Sequence, residues 1–194
     1  MKATTPLVFI AAASSLVNSQ YIQSKPFNLV VQSTNKTLHG QIFGACHTGS
    51  LMESLCLYPG SSKATTFHLN TTGGDQPGPG GLAGILTWEL PSQPPIPSSM
   101  TFSVEPSTNV ALPLFFPGSY NAQRVGFDQN SELNIVSYLD YTKPSGQFPQ
   151  VLKHWHVCTT YYASYTYTSL VWVLGNGKPQ NPTCVKVEVK QRFI

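Results

Sequence analysis

An all-β fold, an antiparallel β-sandwich or small barrel with two disulfides and long Gly/Pro-rich loops, is the class that this 194-residue sequence predicts. Three observations lead there. Short runs with period-two alternation recur along the chain, breaker clusters separate them, and only one stretch reads as helical.

The first residues stand apart. In MKATTPLVFIAAASSLVNSQ one lysine precedes an apolar run from Leu7 to Ala13, and Val17-Asn18-Ser19 puts small residues at minus three and minus one before Gln20. This is the layout of a secretory signal peptide over 1–19. The run is well short of the roughly 20 apolar residues that span a bilayer, and no later stretch is long enough either. The expected mature chain, 20–194, is a single all-β domain in the secretory pathway, secreted and without stable membrane insertion.

Nine runs then read as strands: PFNLVVQS, ATTFHLN, GILTWEL, MTFSVE, ALPLFF, LNIVSYLD, KHWHVCTTYY, SLVWVLG and CVKVEVKQRF. In the last, Val185, Val187 and Val189 alternate with Lys186, Glu188 and Lys190, the mark of a half-buried strand. Breakers lie at Gly73 to Gly81, Pro91 to Pro97, Pro144-Ser145-Gly146 and Gly175-Asn176-Gly177. The helical stretch is Ser50 to Leu57, one or two turns at most. Gly73 to Gly81 is expected to be a long mobile loop of the lid type.

Charge excludes some functions. Only 10% of residues are charged and the formal charge is +3, which falls to +2 without Lys2. The basic residues are scattered, so no patch dense enough for nucleic acid forms. Four cysteines allow three pairings. The sequence-local ones, Cys46 with Cys56 and Cys158 with Cys184, are favoured; the alternative to disulfides, a zinc site, needs closely spaced cysteine pairs that are absent. Asn35-Lys36-Thr37 and Asn70-Thr71-Thr72 are glycosylation sequons at Asn35 and Asn70, while Pro182 disqualifies Asn181.

The stretch KHWHVCTTYY concentrates reactive side chains. On a regular strand His154, His156, Cys158 and Tyr162 face one way, and Lys153, Trp155 and Tyr161 the other. An H-x-H pair still needs a third metal ligand, and His39, His47 and His68 sit in no companion motif, so no metal and no other cofactor is expected. No Gly-x-Ser-x-Gly elbow is present. Trp88-Glu89 resembles a sugar-stacking pair in outline but lacks a second placed carboxylate. Aromatic content says more: three Trp, nine Tyr and ten Phe stand in a chain poor in charge. A cluster of Trp155, Tyr161, Tyr162, Tyr165, Tyr167 and Trp172 would line a cavity for an apolar ligand, with His154, His156, Lys153 and tyrosine hydroxyls to orient a carbonyl.

The ordered set GACHTGSLMESLCL, GILTWEL, NVALPLFFPG, VGFD, HWHVCTTYY and LVWVLGNGKPQNPTCVKVEV resembles a family of small secreted fungal proteins. That family includes the hetero-Diels–Alderases of tropolone–sesquiterpene meroterpenoid biosynthesis. The resemblance runs from about Ser24 to Arg192. It is most specific in the first cysteine loop and in Trp-x-Val-Cys followed by Pro-Gln-Asn-Pro-x-Cys-Val-Lys-Val. It implies small apolar partners, a tropolone ortho-quinone methide and a humulene-derived sesquiterpene alkene, joined as a dihydropyran. It carries no catalytic residue by position.

Such a reaction needs confinement and one or two hydrogen-bond donors rather than a nucleophile. His154 or His156 is the expected donor, with Lys153 as the alternative. Trp155 and Trp172 are the expected walls, followed by Trp88, Phe116 and Tyr162. Alternation sets Trp155 and His156 on opposite faces, so one assignment has to yield unless the strand bulges. The competing readings are a secreted ligand-binding or interaction protein without catalysis and, less favoured, a hydrolase.

Overall fold

Val187 and Val189 are buried while Lys186 and Glu188 are exposed, as the alternation in CVKVEVKQRF predicts. These positions come from a computed structural model, which describes residues 21–58, 64–139 and 147–194. The expected signal segment and the Pro144-Ser145-Gly146 breaker lie outside the described residues. Among those residues fifteen strands form and no helix.

The strands open with β1 (Tyr21–Gln23), β2 (Phe27–Gln32), β3 (Ile42–Gly49), β4 (Met52–Tyr58) and β5 (His68–Thr72). Next come β6 (Gly84–Leu90), β7 (Ile96–Ser103), β8 (Val110–Pro117), β9 (Arg124–Phe127) and β10 (Leu133–Leu139). Then follow β11 (Gln147–Leu152), β12 (Trp155–Tyr162), β13 (Tyr165–Val173), β14 (Val185–Lys186) and β15 (Glu188–Phe193). They form one antiparallel sheet curled into a half-barrel. Its path runs β11-β10-β9-β6-β7-β8-β13-β4-β3-β2-β15, with β12 paired to β13 and β14, and β5 between β1 and β6.

Curling brings the two ends of the path together. Glu132, just before β10, bridges Lys190 of β15, and the Gln191 N–H donates to the Ser131 carbonyl at 2.9 Å. The inner face closes over Phe27, Leu29, Phe43, Leu55, Phe67, Leu86, Met100, Phe115 and Trp155, all fully buried. Both disulfides form as favoured. Cys46–Cys56 ties β3 to β4, and Cys158–Cys184 ties β12 to the segment before β14.

Two expectations are corrected. Ser50 to Leu57 is not helical: Met52–Tyr58 is β4, antiparallel to β3. An apolar run of this length buried on both faces has no period that separates helix from strand. The Gly73–Gly81 stretch is a tied turn rather than a free loop. Gly78 and Gly81 exchange two backbone hydrogen bonds of 3.0 Å, Asn134 Nδ2 donates to the Gly80 carbonyl, and Arg124 pairs with Asp75 at 3.0 Å. A Cβ on Gly81, at φ +85°, would lie 2.0 Å from the Phe127 carbonyl oxygen. Glycine serves close backbone approach here.

The β12–β13 hairpin turns through Ala163 and Ser164 at φ 47° and 73°. This left-handed pair suits Asn-Gly and penalises residues with a Cβ. Ala163→Asn combined with Ser164→Gly is therefore expected to raise stability by about 1 kcal/mol in urea unfolding. An unchanged or lowered midpoint contradicts that reading of the turn.

Candidate functional site

Lys153 and His154 precede β12, whose ladder begins at Trp155, so the strand's alternation does not extend to them. Both side chains line a groove of about 770 Å³. Gly78, Pro79 and Gly81 of the tied turn form one wall. Asp128 and Gln129 from the β9–β10 turn, the end of β11, and Lys186 of β14 form the rest.

The Lys153 ammonium lies 2.6 Å from Asp128 Oδ2 and also donates to Glu132 Oε2. Lys190 donates to the other Glu132 oxygen at 2.7 Å and to the Asn130 carbonyl at 2.9 Å. Burial pulls the Lys153 pKa down, but the hydrogen bonds it donates to both carboxylates outweigh it and hold it above its ordinary value. Hydrogen bonds from Lys153 and Lys190 hold Glu132 below the usual range. At Asp128 burial acts upward and is the largest single influence. The Lys153 ammonium and the backbone N–H groups of Glu132 and Asn130 together overcome it and lower the pKa. An ammonium has three donors, and Lys153 spends two on these carboxylates.

This network bolts the seam of the half-barrel, which makes the seam acid-sensitive. Carboxyls with depressed folded pKa values stabilise above their unfolded pKa of about 4 and lose that contribution as pH falls through the folded value. The raised Lys153 contributes below its unfolded pKa and is lost only as pH rises through its folded value. The urea midpoint is expected to drop between pH 5 and pH 3, with a shallower drop in Glu132→Gln. Equal slopes in the two proteins would contradict this role for Glu132.

Both histidines are fixed through the same ring atom. His154 Nδ1 is 3.2 Å from the Val173 carbonyl, and His156 Nδ1 is 3.0 Å from the His154 carbonyl. A carbonyl only accepts, so Nδ1 carries the proton and Nε2 holds the lone pair when the ring is neutral. His156 is held below its ordinary pKa by burial and by the nearby Lys186 charge, against the His154 carbonyl. The ring of His154 stacks on Trp172, centroids 5.1 Å apart at 25°. The geometry makes His154 an acceptor in the groove and leaves donation to the lysines.

The other predicted residues do not gather at this groove. His156 shares the face of β12 opposite Trp155 and is not among the residues lining it. Trp155 is fully buried, donates from Nε1 to the Leu133 carbonyl at 2.8 Å and packs edge-on against Trp172. It is core, and Trp172 is a backing for His154 rather than an open wall. The predicted aromatic wall is corrected accordingly. Trp88 packs on Phe115 and lines a separate groove of about 480 Å³ with Glu89 and His68. Tyr162 lines another, of about 360 Å³, with Glu105. It sits seven residues along β12 from Trp155, about 23 Å away. Phe116 is half-buried on β8 opposite Ser99. Among the described residues no cluster of three His, Cys, Asp or Glu side chains stands ready to hold a metal.

Sequence reasoning missed Asp128, Glu132 and Lys186 as site residues. Their one signal is scarcity: with eight acids in the chain, each buried carboxylate needs a partner. Which lysine answers which acid is set by the curl of the sheet.

A family described as a domain of unknown function (DUF7907) matches residues 24–193, spanning both disulfides and the whole groove. The chain belongs to that family. No curated protein and no solved structure matches it. The DUF7907 domain of this chain is thus a curled antiparallel sheet with a lysine–carboxylate seam beside an open groove.

Proposed function

We propose that this DUF7907 protein is a hetero-Diels–Alderase acting at the Lys153–His154 groove. It joins a tropolone ortho-quinone methide to an alkene of a humulene-derived sesquiterpene, giving a dihydropyran. The observation that carries the proposal is the convergence of a fixed ammonium and an imidazole lone pair on one groove. Its volume falls within the range of small-molecule sites. The sequence resemblance points to the same reaction.

The roles follow from the atoms. Nε2 of His154 takes the proton of the ring hydroxyl in a hydroxymethyl tropolone. The carbon–oxygen bond of the hydroxymethyl group breaks, and Lys186 supplies a proton so that water leaves. The proton on His154 then returns to the lysine, and no net charge is left behind. The third N–H of Lys153 donates to the quinone-methide oxygen, which draws electron density from the heterodiene and speeds attack by the alkene. One carbon–carbon and one carbon–oxygen bond form with no atom lost. Holding both partners in near-attack geometry contributes on the order of several kcal/mol.

Binding of a tropolone ligand tests the placement. Titration followed by backbone NMR is expected to move resonances of Gly81, Gln129, Lys153, His154 and Lys186, and to leave those around Trp88 and Tyr162 in place. No saturable shift in the groove contradicts the proposal. His156→Phe is expected to keep the wild-type cycloaddition rate.

A second reading, a secreted ligand-binding or interaction protein without catalysis, draws on the β12–β13 hairpin. Tyr161 is 72% exposed there, and Tyr165 stacks on Tyr167 with ring planes 5° apart. Ligand resonances shifting at this hairpin rather than at the groove would favour it.

A further inference from the structure

Asn70, the second sequon asparagine, lies in the middle of β5, opposite Gln23 of β1 and Ile85 of β6. Its neighbours Leu69 and Thr71 are buried, so Asn70 takes the outer face of the sheet. That face carries a recess of about 300 Å³, bounded by Tyr21, Asn70, Ile85, Thr87, Ser99 and Ser119. Asn70 Oδ1 is buried without a hydrogen-bond partner, as are Ser54 Oγ and Asn134 Oδ1 among the described residues, and Asn70 Nδ2 makes no bond among them. Buried amide groups in native structures are usually hydrogen-bonded, so this side chain has bonding capacity to spare. Tyr21 is 48% exposed beside it. Small residues on β7 and at Gly118 keep the recess open.

We infer that Asn70 carries an N-linked glycan whose first N-acetylglucosamine occupies this recess. The tether decides the occupant, because Asn70, the acceptor of an Asn-Thr-Thr sequon, is itself one of the residues that bound the recess. One pyranose face rests on the Tyr21 ring, with its hydroxyls toward Thr87 and Ser119. The donor is a lipid-diphosphate-linked oligosaccharide of the secretory pathway. The Nδ2–C1 bond forms as the bond from C1 to the phosphate oxygen breaks. The lipid diphosphate leaves with the electron pair, Nδ2 gives up one proton, and nothing is oxidised or reduced. Transfer precedes folding, and β5 then docks between β1 and β6 with the sugar on its outer side. Asn35 differs: it sits in a surface turn where Thr37 already donates to its Oδ1 from both N and Oγ1.

The test is full-length protein secreted from a eukaryotic host. Glycosidase release in heavy-oxygen water is expected to convert Asn70 to labelled aspartate. Thr72→Val, which removes the sequon and keeps Asn70, is expected to lose one glycan and to melt about 2–4 °C below wild type. The same pair made in a host that adds no glycans should melt together, which separates the sugar from the substitution. Trimming to the first N-acetylglucosamine should leave Tm unchanged, and Tyr21→Ala should erase the glycan's contribution. An unmodified Asn70 in secreted protein overturns the inference. So does an occupied Asn70 whose loss leaves Tm where it was.

Discussion

Lys153→Met is expected to slow dihydropyran formation from preformed quinone methide by about tenfold to a hundredfold, as removal of a transition-state donor does. The effect should lie at the lower end for a lysine whose side chain is 30% exposed, since water competes for the same oxygen. The substitution also leaves Asp128 and Glu132 facing each other without their shared counter-ion, so some stability goes with it. Rates must therefore be compared on protein shown to be folded by circular dichroism at the assay temperature. Lys153→Arg keeps the charge and should recover the fold. His154→Phe separates the two steps. It should slow formation of the quinone methide from its hydroxymethyl precursor and leave the reaction of preformed quinone methide near wild type. A folded Lys153→Met protein at full rate removes Lys153 from the mechanism.

Trp155→Ala should cost about 3–5 kcal/mol in urea unfolding, the range for deleting a large buried aromatic. Three contacts go together: the edge-on packing against Trp172 at 4.7 Å, the tilted contact with Phe102, and the hydrogen bond to the Leu133 carbonyl. The last of these leaves a buried acceptor unpaired. Since Trp172 backs His154, the variant should also loosen the groove. A loss below about 1 kcal/mol would return Trp155 to the role of an open cavity wall, because exposed sites rarely cost more.

Alternation made much of the sheet readable. GILTWEL and the run from Trp155 to Tyr162 became strands near the expected positions because burial largely alternates along them, while ALPLFF did so although Leu114 and Phe115 bury both of its faces. The opposition of Trp155 and His156 was legible for the same reason. β4 was not, since its residues are buried on both sides, nor were short strands such as β1 and β9. Gly80 and Gly81 read as freedom in the sequence and act as close packing in the fold, a difference decided by Phe127 and Asn134 some 50 residues away. The site was half readable. Lys153 and His154 stand in the conspicuous stretch, but Val173 reaches them through the β12–β13 hairpin, Lys186 through the pairing of β14 with β12, and Asp128 and Glu132 only when the sheet curls. The tautomer that turns His154 from donor to acceptor depends on one backbone carbonyl, which no local pattern announces.

The most direct measurement is the rate and stereochemistry of dihydropyran formation when purified protein meets preformed tropolone quinone methide and a humulene-type alkene. The account predicts formation well above the buffer rate, a single stereoisomer, and loss of both in Lys153→Met but not in His156→Phe. A buffer-like rate with mixed stereoisomers from the wild-type protein would contradict it.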